Sequence, residues 1–168
     1  GADVEMTVPL GKDAGLWDEF TPILHQLKLQ LHGDGVEESK ELTVGLRRIE
    51  MKDAKFYLNG RLTFFRGTHE GCEFPLTGYP PVDVESWRKV LQVCRDYGLN
   101  HMRFHSWCPP EAAFVAADEL GMYLQPECSN WGQYDRNGKL IAWVNRETQR
   151  IIDAYGNHPS FVLFSSGN

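Results

Sequence analysis

A chain of 168 residues, 42% hydrophobic and 24% charged, has the composition of an ordinary globular protein and can bury one sizeable core or parts of two. Its formal net charge of −6 excludes the basic footprint of a nucleic-acid binder, and no apolar run approaches the length of a membrane span. Its four cysteines, Cys72, Cys94, Cys108 and Cys128, form no Cys-x-x-Cys pair, which excludes the usual redox and zinc-ribbon motifs.

Residues 1 to 52 read as β. Their start reads as the interior of a domain rather than a targeting segment. Leu27, Leu29 and Leu31 alternate with Lys28 and Gln30, the period of a strand with one buried face. Gly33-Asp34-Gly35 is a turn signal. Leu42 to Met51 reads as a second strand, with Val44, Leu46 and Ile49 apolar. Asn59-Gly60, between Phe56-Tyr-Leu and Leu62-Thr-Phe-Phe, predicts a two-residue hairpin. So few strands cannot close a sandwich, and this part reads as the end of a β domain.

From residue 62 strands alternate with helices, the pattern of a parallel sheet. A strand is predicted at Thr63–Arg66. A helix follows from Asp83, a good N-cap, with Trp87, Val90, Leu91, Cys94 and Tyr97 on one face and Gly98 past its end. The next strand is Asn100–Phe104. Its helix opens at Pro109-Pro110, turns Ala113, Phe114, Ala117 and Leu120 inward, and stops at Gly121. A third strand, Met122–Gln125, ends at Pro126. A loop from Cys128 to Lys139 leads to a helix with Ile141, Val144, Thr148, Ile151, Ile152 and Tyr155 inward. Gly156-Asn-His-Pro159 ends it, and Phe161–Phe164 reads as the fourth strand. No glycine-rich phosphate loop follows the first strand. Polar residues follow every strand, as on the active face of a (β/α)8 barrel. Half a barrel has two open edges, so it needs its other half or a self-association partner.

Several stretches, in order, carry a resemblance. They are Leu16-Trp-Asp-Glu-Phe-Thr-Pro22, Gly45-Leu-Arg-Arg-Ile-Glu50 and Phe56-Tyr-Leu-Asn-Gly-Arg-Leu-Thr-Phe-Phe-Arg-Gly67. Tyr97-Gly-Leu-Asn-His-Met-Arg103, Ala117-Asp-Glu-Leu-Gly-Met-Tyr123 and Tyr155-Gly-Asn-His-Pro-Ser-Phe161 through Gly167-Asn168 complete the set. Together they resemble glycoside hydrolase family 2, the β-galactosidases, β-glucuronidases and β-mannosidases. The resemblance implies an α/β fold: the first half, strands one to four, of a (β/α)8 TIM barrel (residues 53–168), preceded by the C-terminal strands of an immunoglobulin-like β-sandwich (residues 1–52). The sequence departs from the family at Ser106, where a histidine is usual, at His69-Glu-Gly-Cys72 and at Pro126-Glu127.

The resemblance implies retaining hydrolysis of a glycosidic bond by two carboxyls about 5–5.5 Å apart. The family's acid/base glutamate directly follows this Gly-Asn and its nucleophile lies on strand seven. Neither is among the 168 residues, so the chain alone is expected to be inactive. Arg103 is expected to orient the nucleophile, and Asn168 to hydrogen-bond the sugar 2-hydroxyl. A structural ion pair for Arg103 and a turn role for Asn168 are the alternatives. His69, His105, Trp107, Glu127 and Trp131 fall just past strand ends and are candidates for sugar contact, with tryptophan as the stacking platform; a packed loop residue is the alternative for each. Glu127 directly follows a strand end and by position reads as a general acid, whereas the resemblance makes it a binding or orienting group. The 12% of aromatic residues suits such stacking and equally suits a core. Glu70, Glu73 and Glu111 read as solvated or capping. No cofactor, metal, nucleic acid or membrane is expected, and the expected partner is an oligosaccharide or glycoside. Two other readings stay open: a carbohydrate-binding or scaffold piece without activity, and a metal-dependent barrel hydrolase using His69, Cys72, His105, Cys108 and Cys128.

Overall fold

The computed structural model describes residues 4–132 and 138–168; residues 133–137, within the expected loop from Cys128 to Lys139, lie outside them. Strands β1 (His25–Gly33) and β2 (Val36–Val44) form an antiparallel hairpin that turns at Asp34-Gly35, as the turn signal predicts. The leucine alternation buries only the base of this hairpin: Leu27 and Leu29 are half-buried, and Leu31 is exposed.

The single strand expected from Leu42 to Met51 is two strands. β2 ends at Val44, and β3 (Ile49–Lys52) starts in another sheet. The cause is docking. A β-carbon on Gly45 would stand 2.5 Å from Cγ of Pro159. The Leu46 carbonyl accepts the Trp17 N–H at 2.7 Å. The Arg47 guanidinium donates to the carbonyls of Pro159 and Phe161 at 2.6 and 2.5 Å. Residues 45–48 are therefore committed to contacts far along the chain and leave the ladder. β3, β4 (Lys55–Leu58) and β5 (Arg61–Thr63) make an antiparallel meander. Its second turn has φ of 51° at Asn59 and 79° at Gly60, both positive as a type I′ turn requires. Residue 52, the expected boundary, lies at the turn between β3 and β4, inside this three-stranded sheet.

Three strands then run parallel in the order β6 (Gly67–Glu70), β7 (His101–Phe104) and β8 (Tyr123–Gln125). The first was expected at Thr63–Arg66 and lies four residues later. Thr63 pairs with Phe56 in the meander. The Asn100 side chain takes the Arg66 N–H at 2.7 Å and donates to the Phe64 carbonyl at 3.0 Å, so residues 64–66 cross between sheets. The fourth expected strand, Phe161–Phe164, is present as two isolated parallel bridges, Leu124 to Phe161 and Glu127 to Ser165. Between them Pro126 has no N–H to donate, which interrupts the ladder.

Helix α1 (Val84–Asp96) is capped by Asp83, whose carboxylate accepts the Ser86 N–H at 2.8 Å. Trp87 and Leu91 are buried, but Tyr97 is the C-cap and is exposed. Helix α2 (Glu111–Leu120) starts after Pro110 and ends at Gly121 with φ 72°. Helix α3 (Lys139–Tyr155) buries Val144 and Ile151 against Cys128, Phe161 and Phe164; Ile141 and Ile152, expected inward, are exposed. The stripe that touches the sheet is thus narrower than the apolar face.

The main core lies between α1, α2 and the sheet, around Trp87, Leu91, Phe104, Phe114 and Leu124. Asp118 on α2 joins distant segments. Its carboxylate receives the Ser160 N–H at 3.0 Å and meets His158 Nδ1 at 2.6 Å; its carbonyl accepts the Trp17 indole N–H at 2.7 Å.

Candidate active site

Side chains alternate along β7. Met102 and Phe104 enter the helix-covered core, which leaves His101 and Arg103 on the opposite face. Strand register sets His69 beside Arg103 on one side and Gln125 on the other. These residues line a concave space of about 580 Å³ with Phe65, Gly67, Thr68 and Leu163. The three parallel strands end at one edge, and the polar residues past them collect there.

At that edge Arg103 meets Glu127 in a fork. Nε donates to Oε1 at 2.6 Å and Nη2 to Oε2 at 3.2 Å. Nη2 also donates to Oδ1 of Asn168 at 3.0 Å. Glu127 is 1% exposed, and its Oε2 takes a further hydrogen bond from the Ser106 N–H at 2.8 Å. Burial alone would raise its pKa. The hydrogen bonds from Arg103 and Ser106 and the guanidinium charge outweigh it and hold the carboxyl below its ordinary value. Ser106 reaches this position with φ 62°, a left-handed conformation uncommon for a residue with a β-carbon.

Asn168 is fixed from a second side, because its backbone N–H donates to the Asn130 carbonyl at 2.8 Å. It lines an open pocket of about 410 Å³ with His105, Ser106 and Trp131, and the Trp131 ring is 71% exposed. The His105 ring meets His69 edge-on at 5.9 Å. Arg103, Asn168, Glu127, His105, His69 and Trp131 are thus gathered at one end of the sheet. Trp107 is different. Its indole N–H donates to the Glu70 carbonyl at 3.2 Å, and its ring packs edge-on against Phe104 and Phe74. The Glu70 carboxylate accepts the N–H groups of Cys72 and Glu73, a capping contact, one of the two roles expected of it.

Residue-type reasoning missed Ser106, Gln125 and Asn130. The signal for Ser106 was its place where a histidine is usual; for Gln125 and Asn130 only register and loop path reveal the role. The metal alternative has its residues in two places, His69 beside His105 and Cys108 packed against the cluster that holds Cys128. The Cys128 thiol meets Thr148 Oγ1 at 3.3 Å, burial pushes Cys108 up to about 12, and no group of three His, Cys, Asp or Glu that could hold a metal is found among the described residues.

Comparison with known proteins bears on this arrangement. No protein-family model matches the chain. It is 34% identical over 161 residues, 94% of its length, to a "Putative beta-glucuronidase" of Formosa agariphila, covering 19% of that protein. Further curated relatives are named β-galactosidases. The β-glucuronidase structure of Parabacteroides merdae superposes on 91% of the chain with TM-score 0.79 and 25% identity, the chain covering 19% of it. A "glycosyl hydrolase family 2 (GH2) member" from Bacteroides cellulosilyticus shares the fold over 90% of the chain at TM-score 0.76 and 23% identity, the chain covering 20% of it. The chain spans about a fifth of the length of these proteins. Over most of its length the chain is similar in sequence to proteins named β-glucuronidase and β-galactosidase, and it shares its fold with a glycoside hydrolase family 2 member.

Proposed function

We propose that the chain is part of a retaining glycoside hydrolase acting on O-glycosidic bonds, β-glucuronides or β-galactosides by its relatives' names. In this reading residues 1–52 are the closing strands of an immunoglobulin-like sandwich, and residues 53–168 are strands one to four of a (β/α)8 barrel. The observation that carries it is the Arg103–Glu127–Asn168 cluster at the carboxyl edge of parallel strands, where barrel enzymes hold their chemistry.

The residues take these roles. Asn168 donates to the 2-hydroxyl of the sugar, a contact that strengthens in the transition state. Arg103 Nη1 makes no hydrogen bond among the described residues; it offers that edge to the nucleophilic carboxylate and keeps it ionised. Trp131 stacks on the sugar, and His69 and His105 meet hydroxyls. Trp107 supports the wall from behind. The acid/base and nucleophile come from glutamates supplied by the rest of the barrel.

The test is hydrolysis of nitrophenyl β-glucuronides and β-galactosides by the full-length protein, with the anomer of the first-formed sugar followed by NMR. Turnover with retained configuration is expected; inversion, or no turnover on any glycoside tried, overturns the reading. The 168 residues alone are expected to hydrolyse neither substrate. Clear activity from them would show that the catalytic carboxylates lie within the chain.

A further inference from the structure

We propose that Glu127 is a positioning residue: it locks the Arg103 guanidinium, which in turn holds the Asn168 carboxamide with its Nδ2 facing the pocket as a fixed donor. The proposal rests on the glycosidase reading above and deepens it.

Each link is set by donor and acceptor chemistry. Arginine only donates. The atom of Asn168 that meets Arg103 Nη2 at 3.0 Å is therefore the carbonyl Oδ1, and the NH2 group is the part left for the pocket of His105, Ser106 and Trp131. The Asn168 backbone is tied to Asn130, so main chain and side chain are both held. Arg103 in turn cannot rotate while Glu127 grips Nε and Nη2, because a fork fixes the plane of the guanidinium. The Ser106 N–H secures the far oxygen of the carboxylate, at the expense of a left-handed backbone.

The same contacts exclude the obvious alternative role. A general acid needs a pKa raised toward the working pH. Glu127 is buried against a cation and a backbone donor, and its pKa is lowered. It remains a carboxylate and has no proton to give.

The experiment uses the full-length enzyme and paired substrates, a 2-hydroxy glycoside and its 2-deoxy analogue. Glu127→Gln keeps the size but turns an amide NH2 toward donors. It is expected to lower kcat on the 2-hydroxy substrate by about 10- to 100-fold, the worth of one charge-assisted hydrogen bond. On the 2-deoxy analogue, which reads only the contact of Arg103 with the nucleophile, it should lower kcat clearly less. Combining it with Asn168→Ala should cost little beyond either change alone. Equal losses on both substrates, or additive losses in the double variant, overturn the proposal and leave Glu127 a structural ion pair. Should Glu127→Gln fail to fold, Glu127→Asp tests the same link, since a carboxylate shortened by one methylene cannot fork Nε and Nη2 of Arg103 together. It should show the same selective loss, and an unselective one overturns the proposal. A wild-type enzyme without glycosidase activity would instead sink the functional reading itself.

Discussion

His101 opens β7 with its ring 5.3 Å from Phe65 and only 8% exposed, and its Nε2 has no hydrogen-bond partner among the described residues. Burial, outweighing a hydrogen bond with Gln125, lowers its pKa from 6.5 to about 4. The unfolded chain therefore takes up a proton near the ordinary value, while the folded chain refuses it until about 4. Stability is full above the ordinary value and falls as pH drops through that window, by about 3 kcal/mol at most. Urea midpoints at pH 7 and 4.5 check this: the wild type is expected to lose more on acidification than His101→Gln. Trp131 offers a contrasting case. Its ring is 71% exposed, so Trp131→Ala should leave thermal stability unchanged and raise KM severalfold in the full-length enzyme. Strand-end position, joined for Arg103 by the family resemblance, marked Trp131, His69 and Arg103 as candidates. It could not separate Trp131 from Trp107, because both follow strand ends and only packing turns one indole to the pocket and the other to Phe104.

Helix ends were legible because their causes are local. Asp83 sits three residues before the N–H it caps. Asp83→Ala removes this cap and should lower the melting temperature with activity retained. At Gly121 the demand is twofold: φ is 72°, and a β-carbon would stand 2.9 Å from Cα of Glu19. Gly121→Ala is therefore expected to destabilise by more than about 1 kcal/mol, and to loosen residues 18–19 in hydrogen exchange. The glycine was readable as a helix stop, but the backbone pressed against it was not, because that neighbour lies about a hundred residues earlier. Strand boundaries failed for the same reason. Val44 and Gly45 both look like strand residues until Pro159 arrives. Likewise, Phe64 and Phe65 read as strand until Asn100 takes the backbone groups of residues 64 and 66.

At the scale of the whole molecule, Trp17 fastens the first 60 residues to the rest. It is fully buried, accepts from Asn59 through its carbonyl, donates its indole N–H to the Asp118 carbonyl, and packs edge-on against Tyr123. Trp17→Ala should cost about 3–5 kcal/mol and split thermal unfolding into two transitions, the antiparallel strands melting first. By itself the sequence determined what period, caps and motif order encode: antiparallel strands, then strand and helix in alternation, and a resemblance in motif order to glycoside hydrolase family 2. These are short-range signals, repeated along the chain. Only the tertiary structure decided where ladders break, which tryptophan faces solvent, and that Arg103, Glu127 and Asn168 form one hydrogen-bonded unit. Those outcomes depend on groups 24 and 65 residues apart meeting within hydrogen-bond distance, and distance in space between remote residues is not written in local pattern.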